Sequence, residues 1–235
     1  MKVGVLSDVH GNYTALETVL DDMLSVDCLV SLGDNVGYGP HPQQVVETVH
    51  EQARCSLYGN HESYLNNPEL CSDNTDAHEG ILHARSELTD EQFNWAVNSP
   101  HHDMVENELF LAHGHPDPET PFKYVTTSNV TEMVPYFRKG DFSLLAVGHS
   151  HVQFKQDLSK FHDEAGVVFN PGSVGQPRDK DPRAAYAVAD TDTETVSLHR
   201  VEYDVESVVA DVKKAGLPTN TGERLRTGSY PSSRR

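Results

Sequence analysis

Basic residues are scarce in this chain: 18 Lys and Arg stand against 36 Asp and Glu, which gives a formal net charge of −18. A surface this acidic repels phosphate backbones, and we therefore expect no non-specific binding to nucleic acid. The acidic side chains are spread along the chain and are not gathered in a tail. This distribution favours adaptation to concentrated salt, where screening weakens the self-repulsion; the alternative is an ordinary acidic enzyme.

Long hydrophobic runs and paired cysteines are also missing. No apolar stretch approaches the roughly 18 residues of a membrane-spanning helix, so we expect no membrane association. The first residues already indicate a strand, which leaves no room for a signal peptide. The three cysteines, Cys28, Cys55 and Cys71, lack paired spacing, and the first two lie in predicted buried strands. We therefore expect a reduced, cytoplasmic protein.

The hydrophobic periodicity predicts one α/β domain over residues 1–216. Predicted strands at 2–7, 27–32 and 54–58 alternate with predicted helices at 12–24 and 42–52. Further helices are predicted at 76–87, 89–97, 127–139 and 205–215, and further strands at 104–105, 109–111, 143–147, 152–155, 167–169, 184–190 and 195–201. Residues 217–235 are poor in apolar side chains and predict a flexible tail; the alternative is that the arginines of this segment contact the acidic body or a partner.

Polar clusters follow several of the predicted strands. Asp34 comes directly after the apolar run 27–32 and before a turn rich in glycine and proline. Considered alone, Asp34 could have the purely structural role of opening that turn. The other clusters are Asp8-Val9-His10, Gly59-Asn60-His61-Glu62, His113-Gly114-His115 and Gly148-His149-Ser150-His151. Because α/β folds place ligands beyond the carboxyl ends of strands, these carboxylate, amide and imidazole groups indicate a site for divalent metal ions.

In these motifs the sequence resembles the calcineurin-like metallophosphoesterases, and it is similar to their small, single-domain, phosphodiesterase-like members. Residues 170–178 also resemble a stretch that is common in that group, and the resemblance extends from Lys2 to about Tyr203. It implies a four-layer α/β/β/α sandwich of two mixed sheets, whereas the periodicity alone indicates only an α/β domain. It also implies hydrolysis of phosphate esters.

The resemblance assigns a set of side chains to two divalent ions. Asp34 would bridge them, because a carboxylate can share two cations. Asp8, His10 and His151 would complete the first site, and Asn60, His113 and His149 would complete the second. A ligand set made mainly of imidazole favours Mn²⁺, with Fe, Ni²⁺ and Zn²⁺ as alternatives, over Ca²⁺ or Mg²⁺.

The same resemblance implies that His61 points at the leaving-group oxygen, where it acts as general acid or stabilises charge in the transition state, with Glu62 orienting its ring. The nucleophile would be a metal-activated hydroxide, so we expect no covalent intermediate. Asn12 and Arg178 are the candidate contacts of the substrate phosphate; Arg178 could grip it through two hydrogen bonds or could be only a surface residue of its loop. His115 replaces a small hydroxyl residue of close relatives, and either assists the substrate or belongs only to its loop.

We therefore expect a dinuclear metal-dependent phosphohydrolase, and favour a phosphodiesterase that acts on a nucleotide-like or other small phosphate ester. Protein phosphatases of this superfamily grip phosphate with an arginine in the turn after Gly-Asp, and residues 35–40 contain none. Phosphomonoesterase and dinucleoside-polyphosphate hydrolase are the alternatives. A non-catalytic scaffold is less favoured, because scaffolds of this fold lose ligands or the catalytic histidine.

Overall fold

The computed structural model describes residues 1–23 and 25–229. In this part of the chain, ten strands form two five-stranded sheets. The strands are β1 (Lys2–Leu6), β2 (Cys28–Ser31), β3 (Ala53–Ser56), β4 (His102–Val105), β5 (Leu109–Ala112), β6 (Leu144–Val147), β7 (Phe154–Asp157), β8 (Val167–Asn170), β9 (Ala184–Asp190) and β10 (Thr195–Val201). The helices are α1 (Tyr13–Asp22), α2 (Pro42–Gln52), α3 (Asn60–Asn66), α4 (Thr75–Glu87), α5 (Asp90–Val97), α6 (Val134–Gly140), α7 (Val205–Lys214) and α8 (Thr219–Glu223).

Both sheets mix parallel and antiparallel strands. The first has the order β10-β9-β1-β2-β3, in which β1, β2 and β3 are parallel and β9 and β10 are antiparallel additions. The second has the order β4-β5-β6-β8-β7, with β5, β6 and β8 parallel. The parallel strands lie side by side in each sheet: β3 forms an edge of the first sheet, whereas β5, β6 and β8 are the central strands of the second. Their carboxyl ends bring the connecting turns of each sheet to one edge.

The two sheets pack face to face and carry helices on their outer faces. Val3 and Val30 of the first sheet share one buried cluster with Leu109 and Leu144 of the second. A second cluster places α1 and α2 on the outside of the first sheet, and a third places α6 on the outside of the second. The four-layer α/β/β/α sandwich expected from the resemblance is therefore confirmed. No helix among the described residues combines the length and apolarity needed to cross a membrane.

One predicted helix is interrupted. Instead of a continuous helix over 127–139, a 3₁₀ helix at Val130–Met133 precedes α6, which begins at Val134. Pro135 explains the break, because proline has no N–H to donate to the carbonyl one turn earlier and is tolerated only in a first helical turn.

The segment after Gly216 is folded, which corrects the prediction of a flexible tail for residues 217–229. Leu217 and Leu225 pack against Val208 and Val212 of α7. Arg226 donates two hydrogen bonds of 2.7 Å to the carboxylate of Glu206. Arg224 and Arg226 thus contact the acidic body, which was the alternative for this segment. Residues 230–235, which include Arg234 and Arg235, lie outside the described part of the chain.

Arg224 connects this segment to the rest of the fold. Its side chain is 5% exposed and forms an ion pair with Asp76 of α4, which is 18% exposed. Its guanidinium carbon also lies 5.4 Å from the centre of the Tyr38 ring. We expect Arg224→Met to lower the free energy of unfolding by about 3 kcal/mol, the lower end for breaking a buried pair, because Asp76 keeps some contact with water.

The matched control for Arg224 is Arg226→Met, which loses two ion pairs, with Glu206 and Glu223, at an arginine that is 36% exposed. Exposed pairs contribute less than about 1 kcal/mol, so this variant should lose little stability in urea unfolding. Equal losses in the two variants would contradict the assignment of Arg224 as the anchor of the segment.

Candidate metal centre

The turns that follow the central strands hold several side chains in an unusual backbone conformation. Left-handed φ angles occur at Asp8 (55°), His10 (49°), Asp34 (55°), His149 (64°) and His151 (57°). Non-glycine residues rarely adopt this region, and backbone strain of this kind is concentrated at functional sites. The first two turns are also held together, because the N–H of Asp8 donates to the Gly33 carbonyl and the N–H of His10 to the Asp34 carbonyl, at 3.0 and 2.9 Å.

Four of these turn residues form a first group of potential ligands. Asp8, His10, Asp34 and His151 each offer one ligand atom, and these atoms all lie within 4.8 Å of one another. The Nε2 atoms of His10 and His151 are 3.2 Å apart, and His151 Nε2 is 3.2 Å from Asp8 Oδ1. Asp34 contributes Oδ2, which lies 3.8 Å from His10 Nε2.

A second group lies on the other side of Asp34. It contains Asp34, His113 and His149. His113 Nε2 is 3.5 Å from Asp34 Oδ1 and 3.2 Å from His149 Nδ1. Asn60 joins this group, because its Oδ1 is 3.3 Å from the same His113 nitrogen. The two carboxylate oxygens of Asp34 therefore face different groups, and all seven side chains predicted as ligands converge.

Backbone carbonyls determine which nitrogen three of the histidines present. The Nδ1 atoms are 3.1 Å from the Val36 carbonyl for His10, 2.8 Å from the Leu32 carbonyl for His113 and 2.6 Å from the Gln176 carbonyl for His151. Since a carbonyl can only accept, each Nδ1 carries the hydrogen and each Nε2 directs a lone pair into its group. Metal-ligating histidines are oriented by this kind of outer hydrogen bond.

The converging groups fit divalent cations. Two imidazole lone pairs at 3.2 Å, with carboxylate oxygens beside them, repel one another unless a cation lies among them. Burial lowers the pKa of His10 and His151, and lowers that of His149 to about 3, so the rings are neutral, as metal ligands must be. This cluster of Asp and His side chains is therefore suited to divalent metal ions.

The carboxylates of the centre differ in their pKa values. Burial and the neighbouring charge of Glu62 raise the pKa of Asp34 well above its usual range. A protonated His151 would hold the pKa of Asp8 well below its usual range, although burial acts in the opposite direction. A bound dication would favour the ionised form of both.

Glu62 has a different role from the one predicted. Its carboxylate is buried and accepts hydrogen bonds of 2.9 Å from the backbone N–H groups of Asp34, Asn35 and Gly59. The side chain thus joins the start of α3 to the turn after β2, and does not orient the ring of His61. Its contribution to the centre is to position the backbone of Asp34.

His61 stands beside the ligands without belonging to either group. Its ring is 3% exposed, and its centre lies 4.5 Å from that of His10 and 4.8 Å from that of Tyr38. The backbone N–H of His61 donates to Asp34 Oδ1 at 2.8 Å. A side chain at Gly37, where φ is +86°, would place Cβ 2.1 Å from His61 Nδ1, so only glycine leaves room for the ring. Burial and Arg178 lower the pKa of His61.

A cavity of about 250 Å³ opens beside both ligand groups. The polar part of its lining consists of Asp34, Asn60, His61, His149, His151 and Arg178. The aromatic part of its lining consists of Tyr38, Tyr64, Phe122 and Tyr124, together with Asn74. The cavity thus joins the candidate ligands and His61 to a surface able to receive an organic substituent.

Comparison with known proteins identifies the family. Residues 1–194 match the model of the calcineurin-like phosphoesterase superfamily domain. The chain belongs to this superfamily. It is 29% identical to an uncharacterized protein of Methanocaldococcus jannaschii, over 96% of this chain and 98% of that protein. It is 27% identical to phosphodiesterase YfcE of Escherichia coli, over 90% of this chain and 97% of that protein.

A solved structure agrees with this assignment. The metallophosphoesterase from Sphaerobacter thermophilus superposes with a TM-score of 0.82 at 32% sequence identity, covering 97% of this chain and 100% of that chain. The protein is therefore a phosphate-ester hydrolase of the calcineurin-like superfamily, as the sequence predicted.

The two predicted substrate contacts of this phosphoesterase have different surroundings. Arg178 lines the polar part of the cavity, where its Nη2 donates to Gln176 Oε1 at 3.0 Å. Asn12 does not line this cavity: its Oδ1 accepts from Ala15 N–H at 3.2 Å, and its Nδ2 donates to the Gly175 carbonyl and the Tyr203 hydroxyl. Asn12 is the N-cap of α1, so the prediction that it contacts phosphate is wrong.

The remaining predicted residue, His115, also lies away from the cavity. Its Nδ1 accepts from the Asp117 N–H at 3.1 Å, which assigns it to its loop. The aromatic lining of the cavity was missed by the sequence analysis. Tyr64 follows His61 by three positions on α3, and this helical spacing could have indicated that the two rings share a face. Phe122 and Tyr124 lie in an irregular loop that offers no such periodicity.

Proposed function

We propose that this phosphoesterase is a dinuclear metal-dependent phosphodiesterase acting on nucleotide-like or other small phosphate diesters. The observation that carries the proposal is the position of Asp34, whose two oxygens face two separate groups of potential ligands. Two divalent ions, when bound, would hold phosphate oxygens and lower the pKa of a water molecule. The imidazole-rich ligand set favours Mn²⁺.

The side chains of the cavity account for the rest of the reaction. Arg178 is placed to hold a non-bridging oxygen of the phosphate through its planar guanidinium. His61 donates a proton to the departing oxygen. Burial and Arg178 lower the pKa of its ring, and a bound phosphate anion would act in the opposite direction, because a nearby negative charge favours the protonated form.

A diester fits the cavity better than a monoester for two reasons. A diester carries one negative charge and a monoester about two, and Arg178 is the one arginine or lysine in the cavity lining described here. The aromatic part also offers a place for a second substituent on the phosphorus. The similarity to a phosphodiesterase of Escherichia coli agrees with this choice.

A matched pair of substrates tests the proposal. Bis-p-nitrophenyl phosphate and p-nitrophenyl phosphate release the same leaving group, so their kcat/KM ratio reports the preference for diester over monoester. We expect the diester to be favoured with Mn²⁺ and both activities to be lost after chelation. A higher kcat/KM for the monoester would instead support a phosphomonoesterase. If dinucleoside polyphosphates, assayed alongside, were cleaved in preference to both, the protein would be a dinucleoside-polyphosphate hydrolase. Hydrolysis of none of them would support a scaffold.

We also propose adaptation to salt, on the basis of the 36 acidic and 18 basic residues. Chloride should raise the melting temperature, and the rise should level off by about 1 M, where the Debye length has fallen to roughly 3 Å. Potassium chloride is the salt to use, because sulfate strengthens hydrophobic burial whatever the charge of the protein. A melting temperature that does not change with chloride would contradict the proposal.

A further inference from the structure

The aromatic part of the cavity directly adjoins the candidate metal ligands. The ring of Tyr124 stacks on the ring of His149, with centres 4.5 Å apart and planes inclined by 27°. Phe122 lies 6.1 Å from His113 and 6.3 Å from His149, and Tyr64 lies 5.3 Å from His61. A substituent of a phosphate held at the candidate metal ligands would therefore lie next to these aromatic rings.

Tyr124 is exposed but firmly held. Its side chain is 49% exposed, although the next residue, Val125, is fully buried in the cluster under α6. Asn129 Nδ2 donates to the Tyr124 carbonyl at 2.9 Å. The loop is closed at its base, where the N–H of His115 donates to the Pro121 carbonyl at 3.1 Å. This anchoring presents an aromatic face to the cavity without the entropic cost of ordering a mobile loop.

A polar side chain lies beside Tyr38, another aromatic residue of the lining. Asn74 lines this part of the cavity, and its Nδ2 lies 3.4 Å from the Tyr38 hydroxyl. Flat rings with hydrogen-bonding groups at their edge suit a heteroaromatic ring, which stacks through its faces and hydrogen-bonds through its edge.

We propose that Tyr124, with Phe122 and Tyr64, forms a stacking subsite for the nucleobase of a nucleotide-like substrate. This inference rests on the proposed phosphodiesterase function and specifies its substrate class. Tyr124 is the specificity-determining residue, because its ring stacks on a candidate ligand histidine and its side chain, 49% exposed, lines the cavity. The subsite recognises a base mainly by its π face, so it should accept different bases.

Two substrates that differ only in the base test the subsite. The methyl ester of adenosine monophosphate and the methyl ester of ribose phosphate share the same diester. We expect the kcat/KM of the wild-type protein for the adenosine ester to be higher by about 10-fold or more. This is the size of effect that stacking one base on an aromatic side chain has in other proteins. Tyr124→Leu should reduce this ratio to near one, whereas Tyr124→Phe should keep it. Phe161→Leu is the matched control, because Phe161 is an aromatic side chain at 70% exposure that does not line the cavity, and the ratio should be unchanged.

Binding separates this inference from the proposed activity. Calorimetry of the manganese-loaded protein with adenosine monophosphate and with ribose phosphate measures the base preference without any hydrolysis. If neither methyl ester is cleaved but Tyr124→Leu abolishes the binding preference, the proposed phosphodiesterase activity is wrong and the proposed subsite is supported. If the methyl esters are cleaved but the wild type shows no preference for the base, the subsite is wrong and the activity is supported. The same conclusion follows if the esters are cleaved and Tyr124→Leu weakens the binding of adenosine monophosphate and ribose phosphate equally.

Discussion

Asp34→Asn should remove bound metal from both ligand groups and lower kcat by about 10³-fold or more. This loss exceeds the roughly 10- to 100-fold loss that is typical when a residue hydrogen-bonded to a metal ligand is changed. The reason is that one oxygen of Asp34 faces His10 and the other faces His113, at 3.8 and 3.5 Å. An asparagine would keep one oxygen acceptor and direct an N–H₂ donor at the other group. It would also remove the negative charge that both sites share. Elemental analysis of purified protein measures the metal content, and steady-state kinetics with a small diester measures kcat.

Asp8→Asn is the matched control, because Asp8 belongs to the first group alone. It should lower occupancy to about one ion per chain and leave the second group loaded. The comparison holds charge and size constant, so it isolates the effect of sharing a ligand. Full metal content in Asp34→Asn, or equal losses in the two variants, would show that the groups do not share Asp34.

The candidate metal centre was predictable from sequence because most of its candidate ligands directly follow strands. Each of the segments that contain Asp8, Asp34, His113 and His149 ends an apolar run, and a parallel sheet brings such ends to one edge. The pairing of ligands into two groups could not come from spacing, since His149 and His151 are two positions apart but serve different groups. Their left-handed backbone angles separate the two rings.

The errors of the sequence analysis arose where one residue type has several uses. Asparagine after a strand can contact phosphate or cap a helix, and the unsatisfied N–H groups at the start of α1 determined that Asn12 caps it. Glu62 stands at the third position of α3, where a carboxylate satisfies backbone donors. The segment after Gly216 has few apolar residues, but Leu217 and Leu225 are enough to pack it on α7, and ion pairs of Arg224 and Arg226 hold it there.

His61→Ala should leave both metal groups loaded and still lower turnover, by about 10²–10⁴-fold, the range of general acid catalysis. Metal should remain because His61 is in neither ligand group, and its backbone N–H, which donates to Asp34, is retained. Elemental analysis of the variant tests this first half. Loss of metal would show that the ring of His61 supports the ligands and would remove the basis for treating it as the acid.

The second half of this prediction concerns the leaving group. An alkoxide needs a proton to depart, whereas p-nitrophenolate leaves readily without one, so the ratio of wild-type to His61→Ala rates should grow along a series of methyl aryl and methyl alkyl phosphates as the leaving-group pKa rises. His115→Ala is the matched control, because His115 is a buried histidine that neither belongs to a ligand group nor lines the cavity, and its ratio should stay flat. A loss in His61→Ala that is uniform across the series would assign His61 to holding the phosphate, since that role is the same for every leaving group.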